Sequence, residues 1–140
     1  MTYQISSSLK QKQILFSTLW IFLILNYLYC DVLNLMSAEM LNALLTGTVG
    51  GMEMDEPTLL AAGIIMEIPI AMVLISRLAN YKFNRISNII AGILKTIIMI
   101  GTLLMGWPSL HYMFFATIEI ATSIFIAYHA WQWKNNETME

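Results

Sequence analysis

Three ionisable residues stand inside long apolar runs of this chain: Glu67, Lys95 and Glu119. Glu67 sits in GIIMEIPIAM, two residues before Pro69. Counted along their runs, all three lie roughly ten residues from a run's end, so a bilayer would hold them at matched depth. Lipid offers no partner to a polar group. On insertion scales an ionisable residue at mid-span costs about 2.5–3.5 kcal/mol. Lys95 can pair with one glutamate or bridge both. With all three ionised the set carries one net negative charge. An excess carboxylate in low dielectric tends to take up a proton. Such a cluster suits a proton-coupled or cation-binding site. It suits equally a buried ion pair that fixes helix register. Pro69 cannot donate a backbone hydrogen bond and its ring opposes the Ile65 carbonyl, which predicts a kink and a freed acceptor beside Glu67.

Helical spacing gives each charge a face of small or polar neighbours. Lys95 centres a stripe of Asn88, Gly92, Met99, Thr102 and Gly106. Glu119 shares a face with Tyr112, Ala116 and Thr122 or Ser123, and Glu67 shares one with Gly63 and Ala71. Small residues let helices approach, so all three faces are expected to point into a bundle. A second polar group comprises Asn26, Tyr27, Cys30, Asp31 and Asn34, with Trp20, Tyr27, Asp31 and Asn34 on one face. Asp31 could line an outer vestibule or sit at headgroup level. Ligand or proton-binding candidates are therefore Glu67, Lys95, Glu119, Asp31, Asn88, Tyr27 and Tyr112, with Pro69 as the kink. His111 and His129 have no second ligand at metal spacing, so no metal is expected, and no cofactor. The lone Cys30 reads as a small apolar residue. HExxH, GxSxG and paired cysteines are missing, and the chain does not read as an enzyme.

The elements that must carry these residues are membrane spans. Of the 140 residues, 58% are hydrophobic and 11% charged, with a mean hydropathy of +0.67. Soluble domains carry about 25% charged residues. Four segments reach the roughly 20 apolar residues a span needs, at about 14–35, 58–78, 86–107 and 109–131. They predict one domain, residues 1–140, an all-α integral membrane four-helix bundle. The first run is too long for a cleaved signal and no A-x-A site follows it, so it reads as a retained span. Lys10, Lys12, Arg77, Lys82, Arg85 and Lys134 all fall on one side, which predicts cytoplasmic termini and a cell-membrane location. Trp20, Trp131, Trp133 and several tyrosines suggest an aromatic belt. The acidic loop of residues 36–57 opens with SAEMLNALLTG, read as a short interfacial helix capped by Ser37 and stopped by Gly47. TGTVGGMEMDEP reads as a flexible turn region. Trp107 and Pro108 make a tight turn between the last two spans. The triplet Asn136-Glu137-Thr138 is a glycosylation match without meaning on a cytoplasmic tail. The lipid bilayer is the expected partner. A net charge of −2 without a basic patch argues against nucleic acid. So small a bundle encloses little space, which leaves room for a homo-oligomer with a pathway between protomers.

The order of features resembles a bacterial family of small four-span membrane proteins classed as a domain of unknown function. The likeness runs over about residues 13–134, through STLWIFLILNYLYCDVL, EIPIAMVLIS, FNRISNIIAGILKTIIMI and IEIATSIFIAYHAWQW. It rests on Asp31, Glu67, Pro69, Asn84, Arg85, Asn88 and Glu119. A looser similarity, by span count and size, is to DoxX-like membrane proteins. The first resemblance implies the fold and brings no established activity. The second implies a non-transporting accessory or scaffold protein of a membrane complex, with the charges as structural ion pairs. Set against it is binding, or proton- or cation-linked movement, of a small molecule at the midplane cluster.

Overall fold

The structure, a computed structural model, describes residues 2–104 and 109–134. Gly106, the Trp107–Pro108 turn and the Asn136 triplet lie outside the described residues. Helix α1 is Thr2–Leu35, α2 Ala38–Leu45, α3 Glu56–Leu78, α4 Tyr81–Leu104 and α5 Leu110–Gln132. A hairpin of β1 (Thr48–Val49) and β2 (Met52–Glu53) lies between α2 and α3. Four of the helices are long and apolar enough to cross a membrane, over Leu9–Leu35, Glu56–Leu78, Tyr81–Leu104 and Leu110–Gln132. The chain is thus an all-α membrane protein.

Two helices start earlier than their apolar runs. α1 continues back through Lys10, Gln11, Lys12 and Gln13, residues that favour helix even where they do not favour lipid. There the Gln13 amide donates to the Ala79 carbonyl, at 2.9 Å, and ties α1 to the end of α3. α4 starts at Tyr81 because the Asn80 side chain accepts from the Phe83 N–H, at 3.1 Å. The 48–53 stretch is a hairpin rather than an irregular turn. Gly50 and Gly51 both take positive φ, 57° and 82°, which a two-residue type I′ turn requires. Ser37 precedes α2 but makes no side-chain cap bond, while Gly47, at φ 74°, follows the helix end as expected.

α3 opens on Asp55, whose carboxylate accepts from the Thr58 N–H at 3.0 Å, with Pro57 in the first turn. Hydrogen bonding from Thr58 holds the Asp55 carboxyl below its usual value. A depressed value means the cap contributes above the ordinary carboxylate range and is lost as pH falls through it. Asp55→Ala should therefore speed amide exchange in the first turn of α3 at neutral pH and make no difference in strong acid.

The helices form a ring in the order α1, α3, α4, α5. α4 packs most extensively on α5, and α1 on α3 and α5, while α1 and α4 barely touch along their backbones. At the end carrying the chain termini the core holds Phe16, Trp20, Leu23, Met72, Ala91, Ile126, Ala130 and Trp133. Trp133 is buried here against Phe16 and Tyr81, and Trp20 is fully buried, so neither belongs to an aromatic belt; Trp131 is exposed. Arg85 closes this end by donating to the Ala130 and Trp131 carbonyls at 3.1 and 2.9 Å, in the last turn of α5, where Ala130 also accepts from the Trp133 N–H.

Candidate functional site

The interior between α1, α4 and α5 carries polar groups at three levels. At the middle level the Lys95 Nζ stands 3.2 Å from the Glu119 Oε2 and 4.7 Å from the centroid of the Tyr27 ring. α4 and α5 deliver the pair because both bury small residues on the same face: Ala91 and Gly92 before Lys95, and Ala116 and Ser123 on either side of Glu119. Glu119 is 1% exposed. Among the described residues the Lys95 ammonium is the one partner of the Glu119 Oε2. The Tyr27 hydroxyl is buried and unpartnered among the described residues. Buried polar atoms are nearly always paired, by protein or by water, so the Tyr27 hydroxyl beside this ion pair has room for a partner, a water or a guest.

Nearer the terminal end lies a closed network. The Trp20 indole N–H donates to the Asn88 Oδ1 at 2.7 Å, and the Ser76 hydroxyl reaches the same oxygen at 3.2 Å. The Asn88 amide nitrogen donates to the Asn84 carbonyl and Oδ1, at 2.9 and 2.7 Å, and lies 3.1 Å from the Ser76 hydroxyl. Asn84 in turn donates to the Ser76 carbonyl at 2.6 Å. Trp20, Ser76, Asn84 and Asn88 are all fully buried. The expectation that Asn88 takes a ligand is therefore corrected. Its hydrogen-bonding capacity is spent on locking α1, α3 and α4 together. Sequence reasoning missed Ser76; its signal is the spacing of Met72 and Ser76 on the one buried face of α3. Trp20→Phe should cost about 1–3 kcal/mol in unfolding measurements in micelles, since it strands part of the Asn88 oxygen. Asn88→Leu should cost more, because it strands Trp20, Ser76 and Asn84 at once.

At the hairpin end a cleft of about 340 Å³ opens under α2 and β1. Its walls include Asn34, Ser37, Glu39, Thr102, Ser109, His111 and Tyr112. The His111 Nε2 lies 2.8 Å from the Asn34 Oδ1 and 3.3 Å from the Ser109 hydroxyl, bridging α5 to α1. Tyr112 donates to the Thr102 hydroxyl at 2.8 Å, and its oxygen is 3.9 Å from the Met99 sulfur. Among its described lining residues the cleft has one carboxylate, Glu39, and no Lys or Arg. It suits a neutral or positively charged polar guest better than an anion. Met99 and the buried Cys30 lie on the same interior faces as the Lys95 level below. Asp31 is exposed, lies within Coulombic reach of Lys95 and does not line this cleft, so the vestibule wall expected of it is formed by Asn34 instead.

The structure separates Glu67 from the pair. Glu67 is exposed, as is Gly63, and it makes no salt bridge. The reason is rotational. α3 buries Pro69, Met72 and Ser76. Glu67 precedes Pro69 by two residues, which sets it about 200° around the helix. Pro69 thus presents its ring to the bundle, and the carboxylate points away. All three charges lie in the middle part of their helices, but the expected shared interior holds only Lys95 and Glu119. Among the described residues no cluster of His, Cys, Asp and Glu could hold a metal ion.

Comparison with known proteins gives one result. A family model described as a family of unknown function, DUF6326, matches residues 4–140. No curated protein and no solved structure matches, so the looser likeness to DoxX-like proteins has no counterpart.

Proposed function

We propose, for a chain that belongs to DUF6326, a family of unknown function, that its interior binds a small neutral or cationic molecule and exchanges a proton or cation at Glu119. The carrying observation is the buried Tyr27 hydroxyl, unpartnered among the described residues, beside the Lys95–Glu119 pair. A guest that accepts from Tyr27 and donates to Glu119 would engage both groups. The hairpin-end cleft, whose lining favours such guests, is the proposed entrance; its described lining reaches Thr102 and Tyr112 and stops short of Lys95 and Glu119. The Trp20–Asn88–Ser76–Asn84 network closes the other end. With Lys10, Lys12, Arg77, Lys82, Arg85 and Lys134 placed on the cytoplasmic side, the cleft would face outward from a cell membrane. The reading is one of binding rather than catalysis.

A pH-difference infrared spectrum in lipid tests it. On acidification the wild-type protein should show a carboxyl component that is missing from the spectrum of Glu119→Gln. If the two difference spectra coincide at every pH, Glu119 exchanges nothing and the reading fails. The second reading, an accessory protein with a structural ion pair, is favoured by the direct 3.2 Å contact. It predicts that Tyr27→Phe leaves stability unchanged or raised, because removing an orphaned hydroxyl removes a desolvation cost. With a guest in place, the same substitution should lose about 1–3 kcal/mol.

A further inference from the structure

One layer of side chains separates the hairpin-end cleft from the ion pair. Toward the cleft, Cys30 follows Tyr27 by three residues on α1, Met99 follows Lys95 by four on α4, and Tyr112 precedes Glu119 by seven on α5. At these spacings each residue lies over the member of the ion-pair level carried by its own helix. The layer is continuous from helix to helix. The Met99 sulfur is 3.5 Å from the Thr102 hydroxyl and 3.9 Å from the Tyr112 hydroxyl. On the α1 side the Asn34 amide nitrogen is 3.9 Å from the Cys30 sulfur. Cys30 lies within Coulombic reach of Tyr112 on one side and of Glu119 on the other. Asn34, Thr102 and Tyr112 line the cleft. Cys30 and Met99 lie beneath them and are 3% and 8% exposed.

We propose that this layer is a gate between the cleft and the ion pair, with the Tyr112–Thr102 hydrogen bond as its latch and the Met99 side chain as its plug. The inference rests on reading the cleft as the entrance, and it names what controls that entrance. The latch is a single bond of 2.8 Å across α4 and α5. Thr102 is set to accept it, because its own hydroxyl proton goes to the Met99 carbonyl at 2.8 Å. A neutral bond of this kind breaks and remakes while the helices stay packed. With it broken, the Tyr112 ring is free to turn into the cleft. Met99 is unbranched and changes rotamer without moving its backbone, so its thioether then clears the way to Tyr27 and Glu119.

Cys30 supplies the reporter, because it lies beneath the latch and is the chain's one cysteine. The full chain in lipid vesicles is treated with a quaternary-ammonium methanethiosulfonate, a cation that lipid does not admit. Wild type should label slowly. Tyr112→Phe and Thr102→Val should each label about fivefold faster, the population change that one neutral hydrogen bond allows, and the double variant no faster than either. Thr102→Ser keeps the acceptor and should label at the wild-type rate. Met99→Ala should label faster than wild type, and Met99→Leu should not. Ala43→Trp, which fills the cleft from α2, should slow the labelling of Tyr112→Phe. Tyr112→Phe and Thr102→Val labelling no faster than wild type would overturn the proposal. So would fast labelling of Tyr112→Phe that Ala43→Trp leaves unchanged, since the reagent then arrives by another route or through a loosened bundle. The thiol reports on the gate and the carboxyl band on Glu119, so failure of the gate and failure of the exchange are read separately.

Discussion

Gly92→Ala should destabilise the bundle by about 1–3 kcal/mol, the range for a methyl group forced into a filled site. A Cβ at this position would stand 2.9 Å from the Ser123 carbonyl oxygen, 3.1 Å from the Ala127 Cβ and 3.2 Å from the Ala127 nitrogen. All three are backbone or first side-chain atoms, so no rotamer change makes room. The helices would have to part. They would do so next to the ion pair, because Lys95 and Glu119 stand within one turn of Gly92 and Ser123 on the same two helices. The contact itself is reinforced locally: the Ser123 hydroxyl donates to the Glu119 carbonyl at 2.7 Å, and Thr96 donates to the Gly92 carbonyl at 2.8 Å. Gly101→Ala is the matched control. Nothing lies within 4 Å of its added Cβ, and alanine favours helix over glycine by about 1 kcal/mol. Thermal unfolding in micelles should therefore lower the midpoint of Gly92→Ala and hold or raise that of Gly101→Ala. Equal midpoints for wild type and Gly92→Ala would mean that α4 and α5 do not approach as described.

Position along the helices was legible in the sequence, and rotation was legible for Lys95 and Glu119 but not for Glu67. Run length alone places Lys95, Glu119 and Glu67 near mid-span, and the helices observed agree with that placement. The faces of Lys95 and Glu119 were also readable, because α4 and α5 carry small residues at the right spacing and bury them. Glu67 has the same spacing of small neighbours, Gly63 and Ala71, yet points outward. Small residues mark close helix approach without saying which helix approaches, whether in the same protomer or another. The buried Pro69 decides the matter, and its preference for the interior has no periodic signal. The Trp20–Asn88 bond joins residues 68 apart in sequence on helices that sit diagonally in the ring. No local pattern announces such a bond. Trp20 lies about six residues inside the first apolar run, deep for a belt residue, and that misfit is the available clue. The hairpin was legible in principle, since Gly50-Gly51 is a type I′ turn signal. Its strands of two residues each are too short to show alternation.

The largest loss is expected from Lys95→Met, about 3–5 kcal/mol, because it leaves the Glu119 carboxylate buried and unpaired. Glu119→Gln should cost less. The lysine side chain is 13% exposed against 2% for the glutamate, and its long stem lets the ammonium seek a wetter position. The double variant Lys95→Met/Glu119→Leu separates the two readings of the site. Replacing both members of a buried pair by apolar residues is often neutral, or stabilising by about 1–4 kcal/mol. The double variant should therefore unfold near or above the wild type in micelles, whatever the pair is for. Recovery of stability together with full biological activity would reduce the pair to a helix fastener. Recovery of stability with loss of activity would mean that evolution kept a costly buried charge pair for what it exchanges. The second outcome is the one our proposal expects, because a pair serving only as a fastener has no use for the buried Tyr27 hydroxyl left without a partner among the described residues beside it.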